Sequence, residues 1–251
     1  MSPTSQSHLE PMVRKLAFWQ DFDAADEAAL LALPHNIKQV ERHSYLVREG
    51  DPAAHCCVML SGFAMRNKIV GDGSRQILSL HMTGDVVDLQ NSLLGVADHS
   101  VQLLTNAKVA FIPRAAIKQI AFERHHIGAA MWQDTLVDAS VFREWITNVG
   151  RRDAHTRIAH LLCEFAMRLK VAGLGDATNC ELPMTQEQLA DCVGLTPVHV
   201  NRTLKTLEAE GLIMRRSSRA IVIGDWSKLA DAGDFDSAYL HLSGVQGAAA
   251  D

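Results

Sequence analysis

Residues 184–213, MTQEQLADCVGLTPVHVNRTLKTLEAEGLI, predict two short helices joined by a tight turn. Thr185 stands three residues before Gln188, the spacing of a capping box, in which each side chain satisfies a free backbone N–H at a helix start. The apolar residues that follow give this helix one buried face. Gly194 can end the helix, because glycine adopts a positive φ at low cost. The stretch thus carries both a start signal and a stop signal for the first helix.

The second helix is expected to present one narrow apolar stripe and one polar side. Thr196 can cap it, and Pro197 can occupy its first position, where a missing N–H costs nothing. The buried stripe is predicted at the i, i+4 and i+7 positions Val200, Leu204 and Leu207. The opposite side carries Val198, Arg202 and Lys205, and His199 and Asn201 flank it.

Side chains of this kind, in the N-terminal half of a helix, can contact base edges in the major groove of DNA. Arginine pairs with guanine O6 and N7, asparagine pairs with adenine N6 and N7, and a valine can touch a thymine methyl group. Residues 212–223 add two short apolar strands around an Arg-rich polar turn, which predicts a basic wing for phosphate contact. The predicted DNA-contacting residues are Thr185, Gln186, Thr196, Val198, His199, Asn201, Arg202, Lys205, Arg215, Arg216 and Arg219.

The alternative is a helical hairpin that only packs, because most helix-turn-helix shapes in proteins contact no DNA. The two caps, the outward polar set and the Arg-rich hairpin together favour DNA binding. The formal net charge of −5 gives no general argument for nucleic acid. Positive charge is instead local, with five Lys or Arg and two acidic residues between positions 196 and 224.

The composition is that of a globular protein with room for two domains: 251 residues, of which 47% are hydrophobic and 21% are charged. The polar N-terminus lacks the layout of a signal peptide, and no apolar run approaches about 20 residues, the length of a membrane helix. Five cysteines, an odd number without framework spacing, predict reduced thiols. We therefore expect a cytoplasmic protein with no membrane segment.

From about residue 37 to residue 113 the chain has the pattern of short strands separated by turns, and a helix that contains Leu16 and Trp19 is expected before it. Leu78, Leu80 and Met82 alternate with polar residues, and turn signals recur along the segment. Such spacing predicts an antiparallel sandwich or roll, whereas the pattern beyond residue 113 is helical. The expected fold class is α+β. Its domains are expected at 18–123 for an N-terminal antiparallel β-roll, 124–150 for a long helix, and 153–227 for the winged helix-turn-helix.

Residues from about 127 to 149 predict one long helix with a spiral stripe at spacings of three and four. Thr135 and Asp138 interrupt the stripe, which is otherwise apolar. A self-pairing dimer helix is favoured, and the alternative is a helix packed on its own roll. The predicted dimer residues are Met131, Phe142, Trp145 and Val149.

This order of roll, long helix and winged helix-turn-helix closely resembles the Crp/Fnr family of bacterial transcription regulators. The resemblance covers about residues 18–227. Its most specific motifs are Asp153 with Arg-Ile-Ala at 157–159, Leu-Pro-Met-Thr at 182–185, Gly-Leu-Thr at 194–196 and Asn-Arg-Thr-Leu at 201–204. The resemblance implies a cyclic-nucleotide-binding-like roll that senses a signal and a homodimer that reads an inverted repeat in double-stranded DNA. It also implies RNA polymerase as a partner and no enzymatic activity.

The phosphate cassette of the roll departs from the family pattern. Cyclic-nucleotide binders in this family carry a Gly-Glu pair and then an Arg-Ser or Arg-Thr pair, where this chain has Asp88-Leu89 and His99-Ser100. Asp88 adds negative charge to a pocket meant for an anion, and a neutral His99 cannot match a bidentate arginine. Asp88, Leu89, His99 and Ser100 remain the candidate pocket residues, and we expect no cyclic AMP binding at physiological affinity. The alternative function is a small-ligand sensor that uses an unfamiliar pocket in the roll.

Two further departures concern cofactors and base readout. The iron–sulfur branch of the family uses cysteines near the N-terminus, whereas the first cysteine here is Cys56, so we expect no cofactor and no metal. Arg202 matches the arginine that the family retains, but Val198 stands where many members carry a base-reading Glu, and Asn201 replaces a Ser or Gly. The half-site should keep a guanine and differ elsewhere from the best-known operators.

Catalytic and redox interpretations of other motifs are weaker. Residues 98–100 spell Asp-His-Ser, but adjacent residues on an extended chain point to alternating sides and cannot form a triad. Cys56 and Cys57 lack metal-site spacing, and buried thiols are the favoured interpretation for them. Oxidation of Cys192 could perturb the DNA-binding unit, although burial is again favoured. No paired carboxylates, phosphate-cradling loop or metal signature supports an enzyme.

Overall fold

In a computed structural model, which describes residues 8–175, 179–217 and 220–242, strands dominate the first half of the chain and helices the second. The helices are α1 (Glu10–Ala17), α2 (Ala24–Leu31), α3 (Arg114–Glu123), α4 (His125–Arg151), α5 (Ala154–Val171), α6 (Gln186–Val193), α7 (Pro197–Ala209) and α8 (Trp226–Ala232). The strands are β1 (Asn36–Val40), β2 (Tyr45–Val47), β3 (His55–Ser61), β4 (Ala64–Ile69), β5 (Arg75–His81), β6 (Val86–Val87), β7 (Ser100–Leu103), β8 (Ala107–Pro113), β9 (Asn179–Glu181), β10 (Ile213–Arg215) and β11 (Ala220–Ile223). Two 3-10 helices span Leu89–Ser92 and Ser237–Leu240.

The described residues divide into two compact units. The first comprises those within Met1–Lys68 and Leu80–Asp138, and the second those within Ile69–Ser79 and Ala139–Asp251. Helix α4 therefore contributes its first half to one unit and its second half to the other.

Two antiparallel sheets form the roll of the first unit. One has the strand order β1-β8-β3-β6, and the other includes the order β2-β7-β4. Side chains alternate along a strand, so Cys56 and Val58 of β3 are buried in one apolar cluster while Cys57 and Met59 are buried in another. Burial raises the pKa of the Cys56 thiol to about 12, as expected for a thiol that packs as a small hydrophobe. The prediction of an antiparallel roll is confirmed.

Helices that precede and follow the roll in the sequence cover one of its apolar clusters. Met12 and Leu16 of α1, Ile117 of α3 and Met131 of α4 are all buried in the cluster that contains Cys56. The first half of α4 thus packs on the roll of its own chain.

The second unit contains the predicted helix-turn-helix, with the predicted caps. Thr185 Oγ1 accepts a hydrogen bond from the backbone N–H of Gln188 at 3.2 Å, and Gln188 Oε1 accepts one from the N–H of Thr185 at 2.9 Å. Gly194 ends α6 with a φ of 63°, in the left-handed region. Thr196 Oγ1 accepts from the N–H of His199 at 3.3 Å and so caps α7. These local signals confirm the two-helix prediction.

A three-stranded sheet, in the order β10-β11-β9, carries the wing. Met214 of β10 pairs with Val222 of β11, and two residues of the turn between them, Ser218 and Arg219, lie outside the described residues. Helix α8 and the 3-10 helix Ser237–Leu240 follow the wing. Within the described part of the chain, no helix combines the length and the apolar character needed to cross a membrane.

Candidate nucleic-acid interface

Helix α7 separates an apolar side from a solvent-facing side, as its sequence predicts. Val200 and Leu207 are fully buried, and Leu204 is nearly so. Val198, one residue into the helix from its N-terminus, is 81% exposed. A valine this exposed stabilises nothing by burial, so its side chain is available to a partner such as a base edge.

An amide pair links the two helices of the motif. Asn201 Nδ2 of α7 donates a hydrogen bond to Gln186 Oε1, at the start of α6, over 3.0 Å. The pair fixes both half-buried side chains and leaves one amide group of each, the Asn201 Oδ1 acceptor and the Gln186 Nε2 donor, for other partners. Asn201 therefore has less freedom to bind adenine bidentately than the sequence alone suggests.

Arg202 is oriented by a histidine one turn earlier in α7. Its Nη2 lies 2.7 Å from His199 Nε2, and a guanidinium can only donate, so the histidine nitrogen accepts the bond. This geometry requires a neutral His199 whose ring proton is on Nδ1. The arginine is exposed, and the contact holds it at the N-terminal half of the helix, where a recognition helix meets bases.

The basic residues of the wing differ from one another in their partners. Arg215 lies beside Glu208 of α7, with its Nε and Nη2 at 3.0 and 2.9 Å from Glu208 Oε2. The backbone N–H of Arg215 also donates to Glu208 Oε1 and, with the guanidinium, lowers the pKa of that carboxyl. The charge of Arg215 is thus neutralised within the chain. Arg216, in the wing, is exposed to solvent, as is Lys205 of α7. Arg219 lies outside the described residues.

Two residues that sequence reasoning missed hold the C-terminal end of α6. Arg75 Nη2 lies 2.7 Å from Asp191 Oδ2, and Gln76 Nε2 donates to the carbonyl oxygens of Asp191 and Cys192 at 2.8 and 3.2 Å. The last carbonyls of a helix lack intrahelical partners. Gln76 supplies donors to two of them, and Arg75 places a positive charge at the negative end of the helix. No local pattern could predict contacts between residues more than 110 positions apart in the sequence.

The predicted pocket residues of the roll surround a buried ion cluster instead of an open anion site. Asp88 is 1% exposed, and its Oδ1 accepts hydrogen bonds from His99 Nε2 at 2.8 Å and from Arg66 Nη2 at 3.1 Å. Arg66, itself 3% exposed, also donates to Asp138 Oδ2 of α4 at 3.0 Å. Burial opposes the charge on Asp88, but His99 and Arg66 outweigh it and hold the pKa of that carboxyl below its usual range.

The other two predicted pocket residues, Leu89 and Ser100, make different contacts. Leu89 is buried in the apolar cluster that contains Cys56, and the Ser100 hydroxyl accepts a hydrogen bond from the backbone N–H of Glu49. The second ring nitrogen of His99 contacts Asp98 Oδ1 at 2.6 Å, so a carboxylate faces each nitrogen of that ring. The histidine therefore does not meet the serine, and the Asp-His-Ser run forms no triad.

Two family models match the chain in the order of its two parts. A cyclic nucleotide-binding domain matches residues 37–124, and a Crp-like helix-turn-helix domain matches residues 156–232. The chain belongs to the Crp/Fnr family. The sequence-based prediction of a transcription regulator of this type is therefore confirmed.

Known Crp/Fnr proteins resemble the chain over most of its length. The transcriptional activator protein FnrL of Cereibacter sphaeroides is 26% identical over 216 residues, which cover 85% of this chain and 86% of FnrL. The nitrogen fixation regulation protein FixK of Azorhizobium caulinodans is 26% identical over 227 residues, 90% of each chain. The structure of FixK2 from Bradyrhizobium japonicum aligns with a TM-score of 0.74 and 24% identity, over 80% of this chain and 98% of FixK2.

The roll of this Crp/Fnr protein does not fit the phosphate of a cyclic nucleotide. The stretch that matches the phosphate cassette, residues 84–101, holds no arginine. Two carboxylates already neutralise Arg66, the arginine that pairs with Asp88. Asp88 would face the phosphate with a like charge. Among the described residues, no cluster of three or more His, Cys, Asp or Glu is arranged to hold a metal ion.

The long helix of this Crp/Fnr protein shows which apolar residues its own chain covers. Met131 is 4% exposed and Trp145 is 7% exposed, and Trp145 Nε1 donates to the Glu164 carboxylate of α5 at 2.9 Å. Of the other predicted dimer residues, Phe142 and Val149 are half-buried. The exposed apolar side chains, Trp132 at 71%, Leu136 at 54% and Ile146 at 72%, lie one position further along the helix.

Proposed function

We propose that the chain binds an inverted repeat in double-stranded DNA as a homodimer and reads each half-site with the start of α7. The exposure of Val198 beside the paired His199 and Arg202 carries this proposal, because it sets an apolar contact and a bidentate donor side by side. Arg202 suits guanine and Val198 suits a thymine methyl group. A glutamate at the position of Val198 would accept a hydrogen bond from the amino group of cytosine. Valine has no acceptor, so we expect no preference for cytosine at that base.

Selection of bound duplexes from random DNA by the purified protein tests this proposal. The expected result is a symmetric motif with one guanine fixed in each half-site and a thymine enriched near it. Recovery of no motif, or of a motif without two-fold symmetry, would contradict the proposal. An operator so identified also permits a transcription assay with RNA polymerase, the further partner that the family suggests.

We propose that a second copy of the chain covers the exposed face of α4. The face consists of Trp132, Leu136 and Ile146, which follow the same 4-3-4-3 spacing as the seam predicted from sequence but lie one residue further around the helix. The residues that interrupt the sequence-predicted seam support this shift: Asp138 pairs with Arg66, and Thr135 Oγ1 donates to the carbonyl of Met131. Sedimentation equilibrium of the protein at micromolar concentration should give twice the mass of one chain, and a monomer would contradict the assignment.

We propose that DNA binding needs no cyclic nucleotide, because two residues that match the phosphate cassette, Asp88 and His99, pair with each other in a buried ion cluster. Calorimetric titration with cyclic AMP should show no binding at micromolar concentrations, and binding in that range would contradict the proposal. A second candidate is a sensor for a small uncharged polar ligand. It is favoured by Asp88 Oδ2 and both amide atoms of Asn91, which are buried without a hydrogen-bond partner in the described structure. A thermal-shift screen of metabolites distinguishes the two, since only the sensor gains stability from a ligand.

A further inference from the structure

The chain continues beyond the residues that match the helix-turn-helix model and packs back against that domain. The match ends at residue 232, whereas the described chain extends to 242 and includes the 3-10 helix Ser237–Leu240. Leu240 is 3% exposed, so this segment is a packed part of the second unit. We refer to residues 233–240 as the C-terminal segment.

The C-terminal segment begins with a close approach to α5. A Cβ placed on Gly233 would lie 2.7 Å from the backbone nitrogen of His160 and 2.9 Å from the carbonyl carbon of Ala159, so only glycine fits. The Gly233 carbonyl oxygen lies 3.0 Å from His160 Nδ1 and accepts a hydrogen bond from it. Burial and the nearby Arg152 lower the pKa of His160, which favours the neutral ring in this contact.

A second contact joins the segment to the junction between α4 and α5. Arg152 lies between the last residue of α4, Arg151, and the N-cap of α5, Asp153. Its Nε and Nη2 lie 3.1 and 2.9 Å from Asp234 Oδ2, and Nη2 also donates to the Asp234 carbonyl at 3.2 Å. The same guanidinium donates through Nη1 to Glu144 of α4 at 2.6 Å.

A third contact is buried. The Tyr239 hydroxyl donates to Glu164 Oε2 of α5 at 2.8 Å, and this carboxylate, 1% exposed, also receives the indole N–H of Trp145 from α4. Three segments therefore meet at one buried carboxylate. A carboxylate in this position is costly unless it is fully hydrogen-bonded, so each donor constrains the other two segments.

We infer that the C-terminal segment acts as a clasp that fixes the angle between the end of α4 and the start of α5. In this inference, which rests on the proposed DNA binding, Arg152 and Tyr239 are positioning residues that contact no DNA. An inverted repeat requires two recognition helices at one separation. A fixed junction makes binding sensitive to half-site spacing, and a loosened junction tolerates a change in spacing.

The test compares the full chain with a Tyr239→Phe variant and with a chain that ends at Ala232. Each is titrated with the operator selected by the full chain, with the same operator lengthened by one and by two base pairs between its half-sites, and with unrelated duplex. The quantity compared is the affinity for the selected operator divided by the affinity for a lengthened one. The clasp predicts that this ratio is about tenfold smaller in Tyr239→Phe and in the shortened chain than in the full chain, within the usual range for coupling between separate sites. Lys228→Gln is the matched control, because Lys228 of α8 is 72% exposed and pairs only locally with Asp225 among the described residues. It should leave the ratio unchanged.

Hydrogen exchange followed by mass spectrometry gives a second readout. Amides at 150–158 should exchange faster in Tyr239→Phe than in the full chain, while those of α6 and α7 keep their protection. This measurement also decides the matter if the truncated chain does not fold. An unchanged affinity ratio together with unchanged exchange at 150–158 would overturn the clasp, as would an equal loss of affinity for all duplexes. Failure of the full chain to bind any selected duplex would instead overturn the proposed function.

Discussion

At the scale of single residues, the proposed base readout depends on Arg202, which lies 2.7 Å from His199 at the exposed start of α7. We expect Arg202→Ala to weaken operator binding by about 1–3 kcal/mol and to remove the preference for guanine at one position of each half-site. Fluorescence anisotropy with the operator and with its guanine-substituted version measures both effects.

Lys205→Ala is the comparison for that variant. Lys205 lies on the same helix and is exposed, but its point charge suits a phosphate. The Lys205→Ala substitution should weaken binding to all duplexes alike and reduce the salt dependence of binding. The assignment of Arg202 is wrong if its removal also weakens both versions of the operator equally.

Asp88 makes the stability of the roll depend on pH. Its pKa is lower in the folded chain than its ordinary value, so its contribution is present above about pH 4, the ordinary aspartate range, and is lost as the pH falls through the folded pKa. Asp88→Asn leaves Arg66 with one partner fewer and should cost about 3–5 kcal/mol at pH 7, as for a broken buried ion pair.

Urea unfolding between pH 7 and pH 3 tests this prediction, because the gap between the native chain and Asp88→Asn should narrow at the acid end. Asp98→Asn is the control, since that carboxylate contacts His99 from the surface and is 78% exposed. A gap that stays constant over the whole range would show that Asp88 is not ionised in the fold.

At the scale of helices and strands, the sequence signals for α6 and α7 are local, and they were sufficient to predict both helices. The Thr185 capping box, the Gly194 stop and the Thr196 cap each depend on residues within three or four positions, and all three form. The ion cluster of the roll could not be predicted in this way, because Arg66 is 22 and 72 positions from its two carboxylate partners. The sequence indicated that the phosphate cassette departs from the family pattern, but only the fold shows that Arg66 is a cation that pairs with Asp88.

The cap of α5 gives a prediction at this scale. Asp153 Oδ1 accepts a hydrogen bond from the backbone N–H of Thr156 at 2.9 Å, and this bond holds the pKa of the carboxyl below its usual range. Asp153→Ala should lower the free energy of unfolding by about 1 kcal/mol, whereas Asp153→Asn keeps an acceptor and should lose much less. Thermal unfolding at neutral pH measures both variants, and equal losses would show that the side chain does not act as a cap.

At the scale of the whole molecule, the proposed reading of a repeat requires that one face of α4 joins two copies of the chain. The stripe predicted from sequence was chosen by its spacing, and spacing alone cannot distinguish two faces one residue apart. Burial of Met131 and Trp145 within the chain supplies the missing information.

We expect Trp132→Glu to dissociate the dimer, because it places a charge in the apolar face of the proposed contact. Analytical ultracentrifugation should show a monomer whose circular dichroism is unchanged. Phe122→Glu, which alters a side chain of α3 that is 74% exposed, should remain dimeric. A dimeric Trp132→Glu would move the interface away from this face of α4.

A paired selection from random DNA is the decisive measurement for the proposal that the start of α7 reads bases in two symmetric half-sites. The native chain and Val198→Glu are each allowed to select duplexes, which are then sequenced. We expect two symmetric motifs that share their guanine and differ at one position per half-site, where the glutamate should introduce a cytosine. Identical motifs from the two proteins, or a change in one half-site only, would rule out this readout.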